Sequence, residues 1–143
     1  MIQIEFPHHP FKSKTEKGKE KIFDVIRKKW IVLTPEEWVR QNIIQYLITI
    51  LQYPASLIAV EKKIMVGTLP QRADLIIYKA GTPWMIIECK QMNVELSATV
   101  LDQALRYNLV MPADYIIITN GTTTHGWERK HGELLPIYIF PDF

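Results

Sequence analysis

The sequence predicts an α/β domain: a mixed central sheet, in the order α-β-β-β-α-β, flanked by helices. Three observations predict it. Apolar residues recur at helical spacing in two stretches, Val39/Ile43/Leu47/Leu51 and Leu101/Leu105/Leu109. Between them lie three strand-like runs, the last two joined by a turn at Gly81. A β-branched run follows the second helical stretch, so a meander leads into a helical crossover, which returns the chain parallel to an earlier strand.

Each element has a local cause. Residues 1–21 carry Lys12, Lys14, Lys17, Lys19 and Lys21 and read as a flexible basic N-terminal arm, with phosphate contact as its sharper role. Ile22 to Leu33 mixes apolar residues with Arg27-Lys28-Lys29 and suggests two short strands, or a strand and a turn. Thr34-Pro35-Glu36-Glu37 is a helix start: Thr34 as N-cap, Pro35 at N1 and Glu37 at the capping-box position. This first helix should run over 35–52 and end at Tyr53-Pro54. Strands follow at Ile58–Val66, Arg72–Tyr78 and Trp84–Lys90, then a second helix over Ser97–Val110. Tyr115–Thr119 is a strand ended by Asn120-Gly121, and a last strand is expected at Ile137–Phe140.

Composition narrows the function classes. The chain has 143 residues, the size of one domain, so 1–143 is read as a single unit. Hydrophobic residues make up 48% and charged residues 22%, which excludes wholesale disorder. The formal charge of +2 hides an asymmetry: net +4 over residues 1–35 and net −2 over the remainder. The single Cys89 leaves no intramolecular disulfide, so a reducing cytoplasm is expected. The N-terminus has no signal-peptide pattern, the most apolar helical stretch is too short to span a bilayer, and no P-loop motif occurs.

Three charged residues fall inside strand-like runs. Asp74 lies in Arg72-Ala73-Asp74-Leu75-Ile76-Ile77-Tyr78, and Glu88 and Lys90 lie in Trp84-Met85-Ile86-Ile87-Glu88-Cys89-Lys90. Glu88 and Lys90 are two apart, so they share a strand face, roughly 6.6–6.8 Å apart along it. The hairpin brings Asp74 beside Glu88. Two neighbouring carboxylates either raise a pKa or take a divalent cation between them, and an oxygen-only pair suits Mg²⁺ or Mn²⁺. With a lysine beside them, the trio fits phosphodiester hydrolysis. Lys90 would position or activate water, or neutralise transition-state charge. The bland reading is a closed Asp–Lys–Glu salt-bridge set that fixes register. In the second helix Gln103 and Tyr107 are i, i+4 and share a face. In the first helix Glu37 and Gln41 have the same spacing, with Glu36 as the rival of Glu37 for any route to the site.

These segments together resemble the N-terminal nuclease domain of type I restriction enzyme R subunits, a branch of the PD-(D/E)XK nuclease superfamily. The resemblance covers roughly residues 22–121. It rests on Leu33 to Gln41, Arg72-Ala73-Asp74, Glu88-Cys89-Lys90, Gln103-x-x-x-Tyr107 and Thr119-Asn120-Gly121. It implies a restriction-endonuclease-like fold, with Asp74, Glu88 and Lys90 at the acidic, acidic and lysine positions of the motif. Asp74 and Glu88 become the metal ligands, Glu37 the helix glutamate, and Gln103, Tyr107 and Gln41 substrate-positioning residues. Ala73 stands where the motif's proline would be. The length leaves no room for the ATP-driven motor of such enzymes, so a motor or specificity subunit would be a separate partner.

The leading expectation is a Mg²⁺- or Mn²⁺-dependent DNA endonuclease, or a nuclease module acting with partners. Double-strand cutting by one small active site would favour a homodimer. The alternative is a non-catalytic DNA-binding or assembly module that keeps the fold.

Overall fold

The computed structural model describes residues 1–143. Its elements are β1 (Ser13–Glu16), β2 (Lys19–Asp24), β3 (Lys29–Val32), α1 (Pro35–Gln45), β4 (Ile58–Val66), β5 (Leu69–Lys79), β6 (Thr82–Cys89), α2 (Ala98–Asn108), β7 (Tyr115–Thr119), β8 (Thr124–Lys130) and β9 (Glu133–Ile137). They form a mixed six-stranded sheet in the order β4-β5-β6-β7-β8-β9 and an antiparallel three-stranded sheet, β1-β2-β3.

The large sheet is antiparallel except where β6 meets β7. That parallel pair needs a crossover, which the segment carrying α2 supplies. β6 is interior and buried on both faces over Trp84–Ile87, as a run of apolar residues demands. On one face Leu75, Ile77, Met85, Ile87 and Ile117 pack against Val39, Ile43, Ile44 and Leu47 of the α1 segment. On the other, Ile116 and Ile118 pack against Ala104 of α2, while Ile76 and Ile86 meet Met111 and Ala113. No helix is long and apolar enough to cross a membrane.

Three expectations are corrected. Residues 1–21 are not a free arm: β1 and the start of β2 pair within the small sheet, and Ile2 is buried and bridges to Thr124. Gly126 makes room for this, since a Cβ there would lie 2.8 Å from Ile2 Cδ1 and 2.7 Å from Ile117 Cδ1. The first helix is α-helical only to Gln45 and then widens into a π-helical turn over Tyr46–Ile50, where the Thr49 hydroxyl donates to the Gln45 carbonyl. The last strand is β9, placed earlier than Ile137–Phe140 because it pairs with β8, whose polar sequence Thr124–Lys130 had no apolar run to mark it.

Candidate active-site cleft

The hairpin of β5 and β6 sets Leu75 opposite Ile87, the last pair of the ladder on that side, and Asp74 and Glu88 follow just beyond it on the two strands. Strand alternation puts Asp74, Glu88 and Lys90 on the same face as Ile76 and Ile86, the face that α2 flanks. Asp74 Oδ2 accepts the Cys89 backbone N–H at 2.8 Å, and its Oδ1 lies 3.5 Å from Arg40 Nη2. Glu88 Oε1 pairs with Lys90 Nζ at 2.9 Å, and its other oxygen accepts from Asn108 Nδ2. These residues border two connected hollows. A smaller one of about 200 Å³ is walled by Asp74, Glu88, Lys90, Glu36, Arg72 and Tyr107. A larger one of about 620 Å³ shares Glu36, Glu88, Lys90 and Tyr107 and adds Gln103 from α2.

The electrostatics are those of a crowded carboxylate site. Burial pushes the Asp74 carboxyl up to about 6, against the pull of the Cys89 N–H and Arg40, and Glu36 and Glu88 add to the rise. The Glu88 hydrogen bond raises the Lys90 ammonium above its ordinary value, outweighing partial burial. Burial pushes the Cys89 thiol well up, and its side chain packs in the core as strand alternation requires.

The helix glutamate that reaches the cleft is Glu36, which walls both hollows. Glu37 does not, and this corrects the expectation. It points inward, buried, where Arg27 Nη2 donates to both its carboxylate oxygens at 3.1 Å. Its backbone N–H is capped by Thr34 Oγ1 at 3.1 Å. Gln41 is corrected for the same reason. One helical turn on from Glu37, it is buried and its Nε2 donates to Asp24 Oδ2 at 2.9 Å and to Glu37 Oε2 at 3.1 Å. Both lie on the α1 face that meets β2 and the turn after it, away from the cleft.

Gln103 and Tyr107 do border the cleft, and the Tyr107 hydroxyl accepts a long 3.4 Å hydrogen bond from the Arg72 backbone N–H. Sequence reasoning missed two residues. Arg40 sits between Asp74 and Glu37, with Nη1 3.0 Å from Glu61 Oε1. Asn108 is buried at the end of α2 and holds Glu88 while donating to its own Ala104 carbonyl. The available signal was spacing: Arg40 is one turn beyond Glu36, and Asn108 directly follows Tyr107.

A model of the type I restriction enzyme R protein N terminus matches residues 35–138, well over half of the chain. The chain belongs to that family. Every cleft residue named above falls inside the matched span, whereas β1, β2 and β3 lie before it. Membership in the type I R protein N-terminal family supports a restriction-related, DNA-acting module. No curated protein and no solved structure matches the chain.

The donor chemistry of the cleft fits a hard divalent cation. Asp74 and Glu88 offer oxygen only, from adjacent strands; burial is the main cause that raises Asp74, and a cation would offset the smaller contributions of Glu36 and Glu88. Mg²⁺ is usually held by one or two carboxylates with waters and substrate phosphates completing its shell. No group of three His, Cys, Asp or Glu side chains is arranged to hold a metal ion by itself.

Proposed function

We propose that the chain is a Mg²⁺- or Mn²⁺-dependent DNA endonuclease module of the PD-(D/E)XK type, working with motor or specificity partners. The observation that carries this reading is the convergence of Asp74, Glu88 and Lys90 on one open cleft, with Glu36 on its rim. Asp74 and Glu88 would hold the cation. When bound, the cation supplies Lewis acidity at the phosphate and a more acidic water. Lys90, placed by its 2.9 Å contact to Glu88, contributes positive charge to the phosphoryl oxygens as charge builds there. Arg40 holds the Asp74 carboxylate from behind, and Asn108 holds that of Glu88. Gln103 and Tyr107, on the α2 wall, orient the phosphodiester backbone through an amide and a hydroxyl.

Two measurements test the reading. Mn²⁺ titrated calorimetrically into wild type should bind, and the Asp74→Asn variant should lose that binding. Plasmid DNA should be cut by wild type with Mg²⁺ or Mn²⁺ and not by Lys90→Ala. Metal-independent behaviour in both assays, with DNA binding retained, would leave the non-catalytic DNA-binding module as the function.

A further inference from the structure

The small sheet β1-β2-β3 lies outside the family match and has two unlike faces. Ile22 and Asp24 point inward and are buried. Asp24 accepts from the Ile26 and Arg27 backbone N–H groups at 2.8 Å and from Gln41 at 2.9 Å, which pins the sheet to α1. The other face carries Lys14, Lys21, Phe23 and Trp30. Strand register places Lys14 opposite Lys21 and Phe23 opposite Trp30, and the Lys12 carbonyl accepts from Phe23 N–H, so Lys12 joins that face.

The aromatic rings there serve the cations. Phe23 and Trp30 meet edge to face, 5.4 Å between centroids, and Lys14 Nζ stands 4.5 Å over the Trp30 ring and Lys12 Nζ 6.0 Å over Phe23. Rings covered by ammonium groups are not open stacking platforms, so the face presents charge rather than a base-reading surface. One carboxylate, Glu16, pairs with both Lys14 at 3.0 Å and Lys21 at 2.9 Å and leaves the face net positive. Its partner is therefore a polyanion read by its backbone. The sheet is fixed through Asp24 and Gln41 to the helix whose Glu36 walls the cleft, so the basic face and the cleft are carried by the same helix.

We infer that the outer face of β1-β2-β3 is a sequence-independent binding surface for the phosphate backbone of DNA, with Lys12, Lys14 and Lys21 as its contacts. This deepens the reading of the cleft as a DNA site and rests on it for the identity of the polyanion. It does not require that the cleft cut DNA.

The test is DNA binding by fluorescence anisotropy across a salt series, in EDTA so that no cleavage occurs. The Lys12→Gln/Lys14→Gln double variant should lower the slope of log K against log [salt] by about 1.8 on duplex DNA, or about 1.4 on a single strand. The Lys79→Gln/Lys130→Gln double variant, which removes equal charge from strands of the large sheet, should keep the wild-type slope. Glu16→Gln frees Lys14 and Lys21 and should tighten binding, a gain that misfolding cannot mimic. The surface is overturned if wild type does not bind DNA, if the two double variants behave alike, or if Glu16→Gln fails to tighten binding. A cleft that binds no Mn²⁺ would sink the nuclease reading and leave these slopes as they are, so the two failures are distinguishable.

Discussion

Helix α1 separates two clusters built from the same residue types with opposite outcomes. On its inner side Asp24, Arg27, Glu37 and Gln41 form a closed set: Arg27 Nε donates to Asp24 Oδ2 at 2.7 Å and its Nη2 spans both Glu37 oxygens. Three of these four residues are buried, and Glu37 borders neither hollow of the cleft. On the outer side Asp74, Glu88, Lys90 and Glu36 border connected hollows of about 200 and 620 Å³. Arg40 touches both clusters, one nitrogen 3.5 Å from Glu37 and the other 3.5 Å from Asp74. The contrast teaches that paired carboxylates and a basic partner do not by themselves make a reactive site. The inner set spends its carboxylate oxygens on protein donors, with the Gln41 amide oxygen alone buried without a partner, and fixes the fold, whereas the outer set keeps a side open to solvent and ligand.

This contrast can be broken by substitutions, beginning with the largest effect. Lys90→Ala should lower plasmid cleavage by about 10³-fold, the scale of losing one charge-stabilising group. Its unfolding free energy in urea should fall by no more than about 1 kcal/mol, because the pair with Glu88 is partly exposed. A large loss of stability instead would make Lys90 a structural residue and the two clusters alike. Glu37→Ala should do the reverse, costing about 3 kcal/mol in urea unfolding, since it leaves Arg27 and Arg40 short of a buried partner. A near-neutral result there would show that the inner set is not closed. Smaller still, Glu36→Gln should change stability by less than about 0.5 kcal/mol, yet weaken Mn²⁺ binding about tenfold. If Glu37→Gln weakened Mn²⁺ binding and Glu36→Gln did not, the assignment of the two glutamates would be reversed.

Much of this arrangement was legible in the sequence where the cause is local. The meeting of Asp74 with Glu88 follows from a two-strand hairpin and period-two alternation, and Gln103 with Tyr107 from helical spacing. The choice between Glu36 and Glu37 was not legible, because it depends on which side of α1 faces Arg27, a contact ten residues upstream. The basic segment misled for a related reason. Its lysines read as solvated, while Ile22, Phe23 and Trp30 pair only once three short strands are in register. β8 has little apolar patterning, and its place comes from β7 on one side and β9 on the other.

The smallest effect sharpens the comparison through pH. Burial alone would raise the Asp24 carboxyl, but the Arg27 backbone and side chain and the Gln41 amide outweigh it and hold the group below its ordinary 3.8. A carboxyl depressed by folding adds stability that is fully present above its ordinary value and is lost as pH falls through its folded value. Urea unfolding of wild type and Asp24→Asn should therefore differ most at pH 5 and above, with wild type more stable. The two should converge as the medium is acidified below about pH 4. Asp74, raised rather than lowered, cannot produce that convergence, because its stability term has the opposite sign over the same range. Parallel curves from neutral pH down through the acid limb would mean that Asp24 is not held as an anion by its donors, and the inner cluster would lose its claim to be the closed one.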